Sequence, residues 1–246
     1  MYNGNVGGTG YGRGGYSSSG SYASAGSSLG NYLSSSMSYT AHKDRETPVT
    51  MHSEVHTYFS AQPFLTGIPT KWMNNREELM PLIEETFEKR TGAKFPNDIL
   101  VHICNDEDFS KGFGQGCTDS IRGFCQNRFG KAVSDVFVRH GDLAEVMLVL
   151  GHEIGHAMTA PLRDQRDEEA KAFAFSLAWM ETIRDHNIAD LRNSFHFQPA
   201  QNGLHDVAFN FVLHIIKTGT DAITTFFNIC AGTTSITHTL EQIIIR

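Results

Sequence analysis

Five apolar residues in a row, Val146-Met147-Leu148-Val149-Leu150, run without a break into Gly151-His152-Glu153-Ile154-Gly155-His156. This stretch constrains the fold more than any other in the chain. Just ahead of it, Asp142-Leu-Ala-Glu145 has the spacing of a capping box, so a helix is predicted to start there. A helix that is apolar on all sides has to be buried. The two histidines and the glutamate at its far end then need polar partners in an interior without bulk water, and a metal ion with its water supplies them at once.

The spacing fits that demand. Residues four apart on a helix differ by only about 40° around the axis, so His152 and His156 leave one face a turn apart and can share one small cation. Zinc accepts neutral imidazole nitrogen at about 2.0–2.1 Å, and a catalytic zinc keeps one open position for water. Glu153, next to His152, lies to one side of the metal axis, where its carboxylate can take a proton from that water. Zinc is therefore the expected cofactor, with His152 and His156 as ligands and Glu153 as general base.

The motif resembles the signature of the zincin clan of zinc metallopeptidases. Metzincins extend it as HExxHxxGxxH or HExxHxxGxxD, but Thr159 and Leu162 stand at the corresponding positions here, which excludes that tribe. Gluzincins instead take a glutamate from the next helix. Arg163 to Trp179, an acidic first turn followed by an apolar-periodic helix, is similar to the glutamate helix of small gluzincins. Through Glu169-Ala-Lys-Ala172-Phe173-Ala-Phe175-Ser176, the resemblance implies Glu169 as third ligand. A rival alignment, to other gluzincins and to ImmA/IrrE-type peptidases, puts Asp167 at that position, with Lys171 where an Asp or Asn is expected. Glu168 is the third competitor, and any of the three acids is equally what a helix dipole favours in a solvated first turn. The resemblance also implies a lower-lobe histidine that steadies the tetrahedral oxyanion, and His205 is the candidate. Its plainer role is that of a helix-terminal histidine bound to water or backbone.

The rest of the chain divides by composition. Met1 to Thr40 holds six of the seven tyrosines and is about half Gly and Ser, too poor in core-forming residues to offset chain entropy, so a disordered tail is expected. Residues 41–70 read as a linker or pro-segment with Pro48, Pro63 and Pro69, and with His52 and His56 at i, i+4 spacing but no acid motif beside them. From Lys71 to Arg246 a single domain is expected. Asn75 to Phe87 has helical periodicity, stops at Gly92 and contains Pro81, which marks a late start or a kink. Ile99–Cys104, Ile121–Arg128 and Asp135–Val138 are strand candidates, with a Gly-rich loop between the first two. The resemblance to zincins implies a cleft-edge strand that pairs with an extended substrate, and Val136–Arg139 and Ile121–Gln126 are the candidates. Beyond Trp179, residues 188–195, 204–217, 222–229 and 237–245 read as helices.

The expected fold class is α+β and zincin-like: a small mixed sheet and the active-site helix in an upper lobe, with a helical lower lobe. A net charge of −7 spread over short stretches carries no footprint for nucleic acid. His214, Lys217 and Asp221 interrupt the apolar C-terminal stretches before a membrane span is reached. Cys104, Cys117, Cys125 and Cys230 occur without CxxC pairing or a secretory segment, so a cytoplasmic protein with reduced thiols is expected. The expected activity is that of a zinc metallopeptidase acting on a peptide or protein substrate. Two rivals are a noncatalytic zinc-binding scaffold, against which the retention of Glu153 argues, and an ImmA/IrrE-like regulatory peptidase.

Overall fold

The computed structural model describes residues 50–51, 61–196 and 204–237. The expectations for the 1–40 tail, the His52 and His56 pair, the His205 side chain and residues 238–245 lie outside the described residues.

The chain is an α+β protein. In order come β1 (Thr50–Met51), a 3-10 turn at Gln62–Phe64, β2 (Trp72–Met73), α1 (Arg76–Thr91), β3 (Ile99–Cys104), α2 (Asp106–Phe113), β4 (Gly123–Asn127), β5 (Ser134–Arg139), β6 (Gly141–Asp142), α3 (Leu143–Ala157), α4 (Gln165–His186), a 3-10 segment at Ile188–Asn193, α5 (Leu204–Lys217) and α6 (Ala222–Cys230). The main sheet has the order β1-β4-β5-β3, with β3 parallel to β5 and the other pairs antiparallel; β2 and β6 form a separate two-stranded ladder.

Local chemistry explains the ends of these elements. Asn75 caps α1 by accepting from the Glu77 N–H, Lys89 and Arg90 occupy its last turn, and Gly92 closes it at φ 71°. At that φ a side chain would be strained and glycine is not. The helix runs through Pro81 from a start at Arg76, so Pro81 does not delay it. Asp142 caps α3 through the Ala144 N–H and also accepts from the Thr70 N–H and hydroxyl. The other half of the expected capping box does not form. Glu145 turns to Arg122, whose Nε donates to it at 2.8 Å.

Every residue of α3 except Glu145 is buried, because one side packs on β4 and β5 and the other on α4. Each fully buried Val, Leu or Met there contributes about 1.5–3 kcal/mol relative to exposure. The core continues along α4 to α5, α6 and α1. A smaller cluster of Phe109, Phe113, Ile121 and Phe124 lies under α2.

Four expectations are corrected. Residues 106–113, expected as loop, form α2, capped by Asn105 and anchored by buried Phe109 and Phe113. Neither Val136–Arg139 nor Ile121–Gln126 is an outer strand of the sheet, because β5 lies between β4 and β3 and β4 lies between β1 and β5. The strand expected from Ile121 to Arg128 is the shorter β4. Residues 188–193 form a 3-10 segment, since Asn187, Ala189 and Asp190 all take positive φ and break the helical path. Within the segment expected as linker, Ala61 and Phe64 are buried in the main core. Cys104, Cys117, Cys125 and Cys230 are thiols. Among the described residues, no helix is long and apolar enough to cross a membrane.

Candidate metal centre

The site exists because α3 and α4 approach closely. A Cβ on Gly151 would lie 2.6 Å from Trp179 Cδ1, and one on Gly155 would lie 3.0 Å from both the Cα and the carbonyl oxygen of Ala172. The two glycines therefore admit α4 against the face of α3 next to the histidines. Trp179 fixes the contact by donating its Nε1–H to the Met147 carbonyl at 2.9 Å.

The approach brings His152, His156 and Glu169 together. One ligand atom from each lies within 4.8 Å of the others. Glu169 Oε2 stands 3.4 Å from His152 Nε2 and 4.0 Å from His156 Nε2. The imidazole rings lie 4.9 Å apart, at 87° to one another. Tetrahedral bonds of about 2.0–2.1 Å place ligand atoms about 3.4 Å apart, so this triangle needs only a small contraction to hold zinc or a similar divalent ion. Two imidazoles and a carboxylate form a borderline-hard donor set that suits such an ion.

Glu153 is one residue from His152 and is buried. Burial pushes its carboxyl up, the neighbouring His156 pulls it back and Glu169 adds to the rise, which leaves it at about 7. A carboxyl poised there can both accept and release a proton near neutrality. Burial opposes a charged His156, but its hydrogen bond to Glu168 and the charges of Glu169, Glu168 and Glu153 outweigh that, so its pKa stands above the ordinary value.

The three competing acids separate cleanly. Glu169 joins the histidines. Glu168 accepts from His156 Nδ1 at 2.8 Å and from the Leu162 N–H at 2.8 Å, and Lys171 Nζ stands 2.8 Å from it. Asp167 accepts from the Ser235 hydroxyl and the Ile236 N–H, each at 2.7 Å, and so ties the chain after α6 to the start of α4. The α5 backbone includes position 205.

Reasoning from the sequence missed Lys171 and Asn127. Lys171 is wholly buried and also donates to the His156 carbonyl at 3.3 Å. Asn127 Nδ2 donates to the carbonyls of His156 and Thr159 at 2.6 and 2.8 Å, satisfying the end of α3 from the sheet. The available signal for Lys171 was a lone lysine inside the run Ala170 to Ala174, three residues after a glutamate. Asn127 carried no such signal.

No protein-family model, no curated protein and no solved structure matches this chain.

Proposed function

We propose that the chain is a zinc-dependent peptidase built on a zincin-type version of its α+β fold, with His152, His156 and Glu169 as ligands. The observation that carries this reading is the triangle those side chains form, with ligand atoms within 4.8 Å of one another, beside a buried glutamate one residue from the first histidine. A zinc ion there supplies Lewis acidity toward a carbonyl oxygen and acidifies water. The chain itself supplies proton transfer. The Glu153 carboxylate takes the proton of the attacking water and later delivers it to the amine nitrogen that leaves.

Substrate placement follows from β4. A Cβ on Gly123 would lie 3.0 Å from Glu153 Cγ, so in this reading the substrate backbone passes beside Gly123.

One observation favours a second reading. His152, Glu153 and His156 are each at most 5 % exposed, and closed burial is also the mark of a noncatalytic metal site.

The test measures zinc content and peptide-library hydrolysis for the wild type, Glu153→Gln and Glu169→Ala. Expected are about one zinc per chain in the wild type and Glu153→Gln, loss of zinc in Glu169→Ala, and a fall in turnover of roughly 10²–10⁴ in Glu153→Gln. Cleavage by Glu153→Gln at the wild-type rate sinks the peptidase reading. Stoichiometric zinc with no cleavage by any protein selects the noncatalytic one.

A further inference from the structure

The strongest feature of the site not yet given a role is a buried ion pair behind one of the histidines. Lys171 is 0 % exposed and Glu168 2 % exposed, so neither charge is solvated. Lys171 Nζ stands 2.8 Å from Glu168 Oε1 and 3.3 Å from the His156 carbonyl oxygen. Glu168 Oε1 in turn lies 2.8 Å from His156 Nδ1, and Oε2 accepts the Leu162 N–H at 2.8 Å. The carboxylate is therefore fixed at both oxygens by groups from three places: α4 itself, the end of α3, and the loop between them.

We infer that Glu168 and Lys171 are positioning residues for His156: Lys171 fixes the Glu168 carboxyl in place, and Glu168 holds the His156 ring so that Nε2 faces Glu169. The inference rests on the metal-centre reading and adds to it the device that orients one ligand.

An imidazole can ligate through either nitrogen, and the hydrogen bond at one nitrogen selects the other. A carboxylate only accepts, so in the neutral ring that binds a metal the proton must sit on Nδ1 and the lone pair on Nε2. Lys171 and the Leu162 N–H each hold one oxygen of that carboxyl group, so it cannot turn away from the ring without losing one of them. Lys171 also bonds the carbonyl of the histidine it helps to orient, so the backbone and ring of His156 are held by one group. The same fixed cation offsets one of the three carboxylates gathered at the site, Glu153, Glu168 and Glu169.

A plain structural ion pair would show the same distances, so the experiment must separate the two roles. It compares wild type, Glu168→Gln, Lys171→Met and the double variant by thermal midpoint, by zinc affinity from chelator competition, and by the visible bands of the cobalt-loaded protein. Removing one member strands the other charge in the interior, so each single variant should melt lower; removing both should recover much of that loss. Zinc affinity should follow a different pattern. Glu168→Gln and the double variant should both bind zinc about 10–100-fold more weakly than wild type, with altered cobalt bands, because the orienting carboxylate is gone from both. The double variant thus regains stability without regaining affinity. Recovery of affinity and bands together with the thermal midpoint overturns the inference, as does wild-type zinc binding by Glu168→Gln. Failure of the wild type to take up zinc instead overturns the metal-centre reading beneath it. None of these readouts depends on turnover, so loss of the peptidase reading alone leaves the outcome interpretable.

Discussion

Two helices of this protein begin with a cluster of acids and use them in opposite ways. At the start of α2, Asp106, Glu107 and Asp108 face water, with side chains 75 %, 79 % and 61 % exposed. Asp106 reaches the Arg139 guanidinium, and the other two lie near Lys111 one turn on within their own helix. At the start of α4, Asp164 caps the helix, Asp167 holds the chain after α6, Glu168 holds His156 and Glu169 joins the histidine pair. The helix dipole favours acids equally in both places. The difference lies in what each turn packs against. Helix α2 sets Phe109 and Phe113 against Phe124 and leaves its start outside, whereas the close contact of Gly155 with Ala172 brings the start of α4 under the end of α3. An acidic first turn thus locates a helix start and says nothing of what the acids do.

The sharpest break of that comparison is Asp167→Ala. It removes two hydrogen bonds of 2.7 Å from a charged acceptor, each worth about 1.5–3 kcal/mol when made to a charge and less where water can replace it. A loss of about 2–3 kcal/mol in denaturant-unfolding stability is expected, with zinc content unchanged. If Asp167→Ala loses metal while Glu169→Ala keeps it, the division of labour within this turn is wrong and the rival alignment through Asp167 is right.

This division was the part of the site least legible in the sequence. The two histidines and Glu153 could be placed on one helix from spacing alone, because spacing within a helix is a local property. Which of Asp167, Glu168 and Glu169 turns toward them depends on how α4 is rotated and how near it comes, and those are set by Gly151, Gly155, Ala172 and Trp179 acting between helices. The glycines stood four apart in plain view, but nothing local names their partners. Strand β3 was readable to the residue because it is a long apolar run. β1, β2 and β6 are two residues each, too short for any period. α2 was hidden by Gly112, Gly114 and Gly116, which read as loop, although the helix already ends at Phe113.

A smaller effect tests the cap that starts α4. Asp164 accepts from the N–H groups of Arg166 and Asp167 at 2.9 and 3.3 Å and from the Thr237 hydroxyl at 3.0 Å. Partial burial would raise its carboxyl, but the bonds from Thr237, Asp167 and Arg166 prevail and hold it below the usual 3.8. A depressed pKa means that its contribution is fully present above the unfolded value and is lost as pH falls through the lower folded one. Asp164→Ala should lower stability by about 1 kcal/mol at neutral pH. Asp164→Asn keeps an accepting oxygen, so it should stay near wild type at pH 7 and show a shallower loss of stability below about pH 4. Parallel acid-unfolding curves for wild type and Asp164→Asn would remove the charge from this account and leave only the cap geometry.

The smallest expected effect is the one on which the comparison depends. Glu107 lies four residues before Lys111, 2.8 Å from its Nζ, with side chains 79 % and 66 % exposed. The order is the favourable one for a helix, acid before base, and the acid also sits at the positive end of the dipole. Both contributions act through water, however, and exposed pairs of this kind contribute about 0.3–0.5 kcal/mol, which salt screens further. Glu107→Ala should therefore lower stability by no more than about 0.5 kcal/mol at low ionic strength, and by nothing measurable in molar salt. Asp167→Ala should change little with salt, because its partners are a hydroxyl and an amide at fixed geometry rather than a mobile charge. The contrast in salt dependence separates the two turns more securely than the sizes do, since it responds to solvent access at each acid and not to how well the helix around it is packed. Equal, salt-insensitive losses in both variants would mean that the start of α2 is as firmly held as the start of α4.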